Sequence, residues 1–513
     1  MHFLGFFFAG LIFFVAVGSL ICVFLSADIV STFVFEDWNI VVFTVKQASL
    51  SAAISCAMAI PISRAIVRRD FIFKSMLLSF LGAPFILPVL VAVIGFAAVF
   101  GQSGLINFFL SLLGLPNITI YGLLGIILVH VFFNLPLAVR FLIYGWGSIP
   151  AERFRLTAQL GMSRWNVFYC VEIPMLRNTL PSIFVLVFLL CLSSFGVALT
   201  MGGGPASTTI EVAIYYAFRY DFNLSKAAYF AMVQICLGLA AISISYKFKP
   251  PNVPQGGIDR FVVRWDCNQI HVRFIDYMII SLTGTFIFMP ILALVFMSGF
   301  NFSSLPDQIW ESAVRSLLMS LLSTILAMII SFSIAHTALK YTMGSNNILE
   351  SIGYLPLCLS PLVLGTGIFI FLLPYINPND HALKVTVFVN ALMSIPFVIG
   401  IILNPMRQLY LDFSRLGDNL GLSQMGFISM VLLPRLSRHI GFAAGLACAI
   451  SLGDFGIITL FSGPNTVTLP MAVYSLMGSY RLEASSSAAL LLLLLTFASF
   501  YLFDTGGRLF ARH

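Results

Sequence analysis

With 59% hydrophobic and 9% charged side chains over 513 residues, the chain carries too little polar surface for a water-soluble protein of its size. Its mean hydropathy is +1.01, and its long apolar runs exclude a β-barrel, whose strands would alternate apolar and polar residues in short segments. The formal net charge of +7 sits in polar loops between those runs, a distribution that answers to a membrane surface and not to nucleic acid.

In chain order the apolar runs predict an all-α polytopic membrane protein of about twelve spans. They lie near 3–26, 40–63, 75–100, 119–144, 179–200 and 226–246, then 274–299, 314–337, 350–374, 383–404, 439–461 and 484–503. The first run is read as a span and not a cleaved leader. No basic residue precedes it, and its apolar core exceeds the roughly 7–15 residues of a leader. The eight cysteines are scattered, mostly inside apolar runs, with no C-x-x-C pair. They read as small packing side chains, with no disulfide frame and no metal site.

Orientation follows from the basic residues. With both termini on the cytosolic side, Lys46, Arg219, Lys226, Arg315, Lys384 and Arg481 fall at outer positions, leaving 21 of the 27 Lys and Arg inside. That bias predicts an N-in, C-in topology.

The chain contains an internal repeat. Gly161 and Pro174 correspond to Gly421 and Pro434, each pair 13 residues apart and the copies 260 residues apart. The same shift carries Pro136 onto Pro396 and Phe195-Gly196 onto Phe455-Gly456. A constant offset over four landmarks marks a duplicated unit. Residues 1–246 form the first repeat and 274–513 the second, with 247–273 between them as a Pro- and Gly-containing cytosolic linker. Six spans per repeat is an even number, so the repeats are parallel and a pseudo-twofold axis along the membrane normal should relate them.

Two polar loops, 148–177 and 405–438, occupy matching cytosolic places in the two halves. Each holds a short helix with small or apolar residues, Ala158, Leu160 and Gly161 in one and Leu420 and Gly421 in the other. An aromatic or apolar pair follows, Trp165 and Phe168 in the first, Phe427 and Met430 in the second. The glycine allows a sharp turn and close approach of another surface. The proline is expected to end the element before the next span. Two copies at one spacing argue for two equivalent docked partners.

The loops resemble the EAA loop of ABC importer permeases, which reads EAA, three residues, G, nine residues, I-x-L-P. Gly161, Val171, Ile173 and Pro174 match its second part, as do Gly421, Val431, Leu433 and Pro434. Arg155, Leu156 and Thr157 stand in place of Glu-Ala-Ala, and so do Arg415, Leu416 and Gly417, so the coupling role rests on the Gly–Pro frame. FILPVLVAVIGF, GLLGIILVHVFFNLP, AQLGM, GGGPASTTIEVAIY, SLGDFGI and LPMAVYSLMGSYR are similar, in order, to the fused permeases of bacterial thiamine/thiamine pyrophosphate ABC importers. The resemblance implies two six-helix repeats of the type I ABC importer permease fold in the bacterial inner membrane. It also implies two copies of a cytosolic ATPase subunit, which bind ATP and Mg, and a periplasmic thiamine-binding protein. The chain itself has no G-x-x-x-x-G-K-[ST] phosphate loop, so no catalytic residue and no cofactor of its own are expected.

Candidates for a substrate path are polar groups at membrane depth. Asp454 is foremost, because an intramembrane carboxylate is costly and is usually functional or paired; its first-half counterpart is Ser194. His130, Asn134 and Asn390 read either as path residues or as interhelical hydrogen-bonding groups. Gly202–Gly204 read as a turn, with an anion nest as the second reading. Glu211, Tyr215, Tyr474, Tyr480 and Arg481 are expected on outer loops or re-entrant pieces, as a docking surface or as interfacial anchors. A fused iron(III) ABC permease shares both loops and the architecture, and ranks second. A secondary transporter would need a coupling site of buried ionisable residues, for which Asp454 alone is thin. A membrane-embedded enzyme is least supported, with no H-E-x-x-H, paired catalytic carboxylates or G-x-S-x-G in the spans.

Overall fold

The computed structural model describes residues 2–27, 35–81, 86–102, 104–245, 269–341, 348–461, 463 and 466–511. Most of the expected linker, through residue 268, lies outside them. Among the described residues there is no strand, and eleven helices are long and apolar enough to cross a membrane. In a bilayer every backbone N–H and C=O must be paired within the segment, which is what such helices achieve.

The count of eleven differs from the expected twelve because one apolar run, at 350–374, is broken into pieces too short to count, Pro361–Leu372 being the longest. The run at 350–374 divides into Ile348–Tyr354, a 3₁₀ turn at Leu355–Cys358 and Pro361–Leu372. Pro361 cannot donate to the preceding turn, and Ser360 Oγ instead accepts the Val363 N–H at 3.1 Å and starts a new helix. The equivalent run at 75–100 breaks in the same place, into Lys74–Phe80 and, after Pro88, Val89–Phe100. The spans at 179–200 and 439–461 are likewise interrupted. Ile173–Leu192 is followed by Phe195–Met201, and Leu433–Leu452 by Gly456–Phe461.

The halves are exchanged at their first helices. His2–Ser26 packs on Pro361–Leu372 and Asp307–Tyr341 of the second half, whereas Ile270–Ser298 packs on Val89–Phe100 and Phe35–Arg68 of the first. Both crossings depend on a glycine. A Cβ at Gly95 would lie 2.5 Å from the Pro290 carbonyl oxygen, and one at Gly367 would lie 2.6 Å from that of Ser19. Between apolar helices in lipid, such backbone approach replaces the hydrophobic drive that water would supply.

Polar pairs also repeat. Thr44 Oγ1 accepts the Ile210 N–H at 2.9 Å, and Ser316 Oγ accepts the Leu469 N–H at 2.8 Å, each fixing the start of a short helix, Ile210–Arg219 and Leu469–Gly478. The buried apolar residues form one central cluster drawn from both halves. Two further clusters lie under the polar loops, one including Phe154, Val167 and Val171, the other Phe427, Ile428 and Leu432.

Candidate functional site: twin loops and the axis between the halves

The two loops share one backbone course. In the first, Ala151–Gln159 ends at Gly161, whose φ is +62°; in the second, Ala382–Asn419 ends at Gly421, whose φ is +64°. The left-handed conformation is available to glycine without steric cost, and it closes each helix by the same bonds. Met162 N–H donates to Thr157 O at 3.1 Å, and Leu422 N–H to Gly417 O at 3.0 Å. Ser163 Oγ then caps the next helix through Asn166 N–H at 3.3 Å, as Ser423 Oγ does through Gly426 N–H at 3.2 Å. A π turn follows in each, Phe168–Glu172 and Ile428–Leu432.

That π turn corrects the reading of the prolines. Pro174 and Pro434 do not end an element; each sits in the first turn of the next α-helix, which continues without interruption from the π turn. The wider π turn just before it accommodates a residue without an N–H donor. The second loop is also more helical than expected, since Ala382–Asn419 runs straight past 405.

The outward face of each loop is apolar. Leu160 and Trp165 are exposed on one, and Leu420 and Met425 on the other; Trp165 is 72% and Met425 62% accessible. Ala158, Gly161, Pro174 and Gly421 are exposed with them, and Pro434 is partly exposed. Phe427 is a correction. It is 8% accessible, lies beside Tyr410 with ring centroids 5.3 Å apart, and blocks any Cβ at Gly417. The 260-residue shift pairs it with buried Val167, so Met425, not Phe427, is the counterpart of Trp165.

The loops are tied to their bundles by different chemistry. Glu172 is fully buried, with Arg64 Nε 2.7 Å from one carboxylate oxygen and Arg68 Nη2 3.9 Å from the other; the Arg64 guanidinium also lies 4.7 Å from the Phe168 ring centroid. In the second half, the Tyr410 hydroxyl and His336 Nδ1 are 2.6 Å apart, and Gln424 Nε2 is 3.4 Å from His336 Nε2. Between halves, Arg69 Nε donates to Asp276 Oδ2 at 2.7 Å in a buried ion pair. Beside it, Lys74 Nζ donates to the Arg69 carbonyl at 2.7 Å; burial lowers its pKa against the opposing pull of Asp70.

The candidate path residues fall into two equivalent places. In the first half, His130 Nδ1 is 3.3 Å from Ser51 Oγ, and Asn134 Nδ2 donates to the His130 carbonyl at 2.9 Å and to Cys191 Sγ at 3.3 Å. These bonds tie helices together. In the second half, Asn390 Nδ2 donates to Ser451 Oγ at 3.3 Å, and a small gap brings both beside Asp454, Ser316 and Thr468. Asp454 Oδ1 accepts the Gly456 and Ile457 N–H groups at 3.2 and 3.4 Å, so it caps Gly456–Phe461, while Oδ2 is buried without a partner. Ser194 precedes Phe195–Met201 in the same way but makes no side-chain cap bond.

Glu211 is the residue whose place the sequence reading misjudged. It is fully buried, accepts a hydrogen bond from Gln234 Nε2, and keeps Oε2 unpaired. Its signal was a lone carboxylate inside the apolar run Ile210–Phe218, which a solvated outer loop would not require. Gly203 and Gly204 have φ of +71° and +137° and form a turn.

Where the two halves meet, Phe195 and Phe455 stack with centroids 5.7 Å apart and planes 24° from parallel. Tyr215 meets Phe195 at 5.3 Å, and Tyr474 meets Phe455 at 5.0 Å.

No family model matches the chain. It is 36% identical to the thiamine transport system permease protein of Salmonella typhimurium over 482 residues, 91% of this chain and 88% of that protein. It is 37% identical to the Escherichia coli protein of the same description over 478 residues, covering 90% and 88%. The molybdenum transport system permease protein of Escherichia coli is 28% identical over 215 residues, 92% of its own length but 41% of this chain, so in size it corresponds to one half.

Proposed function

The chain belongs to the family of thiamine transport system permease proteins, and on that premise we propose that it is the membrane-spanning subunit of an ATP-driven importer of thiamine and its phosphates. The observation that carries this reading is the pair of loops with one backbone course, each presenting an exposed apolar face. Two like surfaces fit two copies of a cytosolic ATPase subunit, with Ala158, Leu160, Gly161, Trp165 and Pro174 on one and Leu420, Gly421 and Pro434, joined by Met425, on the other. The bias of Lys and Arg supports a topology with both loops and both termini on the cytosolic side of a bacterial inner membrane, in which the broken run at 348–372 crosses as a twelfth segment.

ATP and Mg would be held by those ATPase subunits. A periplasmic thiamine-binding protein would deliver substrate to the opposite end. Closure of the ATPases draws the loops together, and the two halves rock about the axis, exposing the path to each side in turn. Asp454 offers a carboxylate to the thiazolium cation, with Asn390 and Ser194 flanking the axis and His130 and Asn134 holding the surrounding helices.

The test is ATP-dependent uptake of labelled thiamine into proteoliposomes holding this chain, its ATPase and its binding protein. Uptake that needs all three, and is competed by thiamine pyrophosphate but not by ferric ion, is the expected result. Thiamine uptake driven by an ion gradient without ATP would overturn it.

A further inference from the structure

Phe195 and Phe455 come from equivalent positions of the repeat and meet face to face where the halves join. Each is backed by a tyrosine of its own half, Tyr215 or Tyr474, on the short helices Ile210–Arg219 and Leu469–Gly478. Phe195 is 5% and Phe455 3% accessible, so the layer they form is closed. It lies at the end of Ile173–Leu192 remote from the loops, about 30 Å away for a helix of 20 residues.

The rings continue outward. Tyr215 contacts Tyr220 at 5.8 Å, and Tyr216 contacts Tyr220 at 5.7 Å. Tyr216 and Tyr220 are exposed and line a cavity of about 790 Å³ together with Asn39, Asp221 and Lys226. A run of ring contacts thus leads from this cavity to the Phe195–Phe455 pair. Behind it stand two carboxyl groups, buried Glu211 and partly buried Asp454. Glu211 is one turn before Tyr215, Asp454 is next to Phe455, and each keeps an oxygen without a partner.

We propose that Phe195, Phe455, Tyr215 and Tyr474 form the gate of the translocation path remote from the loops and, when parted, the station that holds a planar organic cation. Aromatic faces attract cations through the ring quadrupole and accept a flat heterocycle between them. A neutral solute of similar size lacks that attraction to the ring faces. The proposal rests on the thiamine-importer reading for the identity of the cation, though the closed layer itself does not depend on it.

The full chain, reconstituted alone in vesicles loaded with labelled thiamine and with mannitol, should be tight to both. Phe195→Ala combined with Phe455→Ala should release thiamine without ATP at least tenfold faster than the unsubstituted chain, and several-fold faster than mannitol. Adding Tyr215→Leu and Tyr474→Leu should leave the leak but bring the two rates together. Where the alanine pair does not insert, Phe195→Leu with Phe455→Leu keeps apolar bulk and should leak at an intermediate rate. A correctly inserted pair that stays sealed overturns the gate, and equal release of thiamine and mannitol overturns the station. ATP-driven uptake by the unsubstituted complex is followed in parallel. Uptake beside a sealed alanine pair would remove the gate and leave the substrate reading. A leaking pair in a complex that moves no thiamine would leave the gate and remove the substrate reading.

Discussion

Gly95 lies against Pro290 so closely that the smallest side chain would reach within 2.5 Å of the Pro290 carbonyl oxygen. The contact joins the first half to the leading helix of the second, and Gly367 against Ser19 makes the reciprocal joint. A β-branched residue at either glycine has no room without separating two helix backbones. Gly95→Val and Gly367→Val should each lower stability by about 1–3 kcal/mol, as overpacking does. Thermal unfolding in detergent measures this, and a variant unchanged in midpoint would show that the exchanged helices do not hold the halves together.

At Gly161 and Gly421 the strain is of another kind. An added Cβ meets nothing within 4 Å, but both residues have positive φ. Alanine should cost roughly 1 kcal/mol locally. Gly161→Arg or Gly421→Arg should leave the chain inserted while abolishing ATP-dependent uptake, because the bulk projects from the exposed face toward a partner. Uptake at the unsubstituted rate with ATPases present would refute the coupling role.

The Arg64–Glu172 pair predicts an inequality between the loops. Glu172→Ala removes the acid from between two guanidinium groups in a buried site and should destabilise by about 3 kcal/mol or more, since an uncompensated buried charge remains. Arg64→Met with Glu172→Leu should recover part of that loss. His336→Phe, at the corresponding place in the second half, removes the hydrogen bond with the Tyr410 hydroxyl and should cost nearer 1 kcal/mol. Chemical denaturation of the three variants tests the ordering.

Asp454 caps a helix and carries a charge, and the two roles separate by substitution. Asparagine keeps the capping oxygen, so Asp454→Asn should leave the unfolding midpoint nearly unchanged while raising the thiamine concentration needed for half-maximal uptake. Asp454→Ala should also lose about 1 kcal/mol of stability. If asparagine transports like aspartate, the carboxylate serves structure alone.

Much of this was legible in the chain. Apolar run length identified the helices, and the 260-residue shift identified the repeat, because both are local or periodic properties that a linear pattern records. Gly161 and Gly421 announced a sharp turn for the same reason. The pattern misjudged elements whose fate depends on neighbours. Pro174 reads as a stop, yet a π turn before it absorbs the missing donor. Phe427 reads as an exposed anchor, yet Tyr410 and Gly417 leave a pocket for it.

By itself the sequence determined the class of protein, the duplication, the twin loops and the family resemblance, since hydrophobicity, spacing and short-range backbone preference reside in consecutive residues. Which helix of one half lies on the other, and that Phe195 meets Phe455, were decided only by tertiary structure. Those contacts join residues hundreds of positions apart, and they follow from shape complementarity between two packed halves that no local signal encodes.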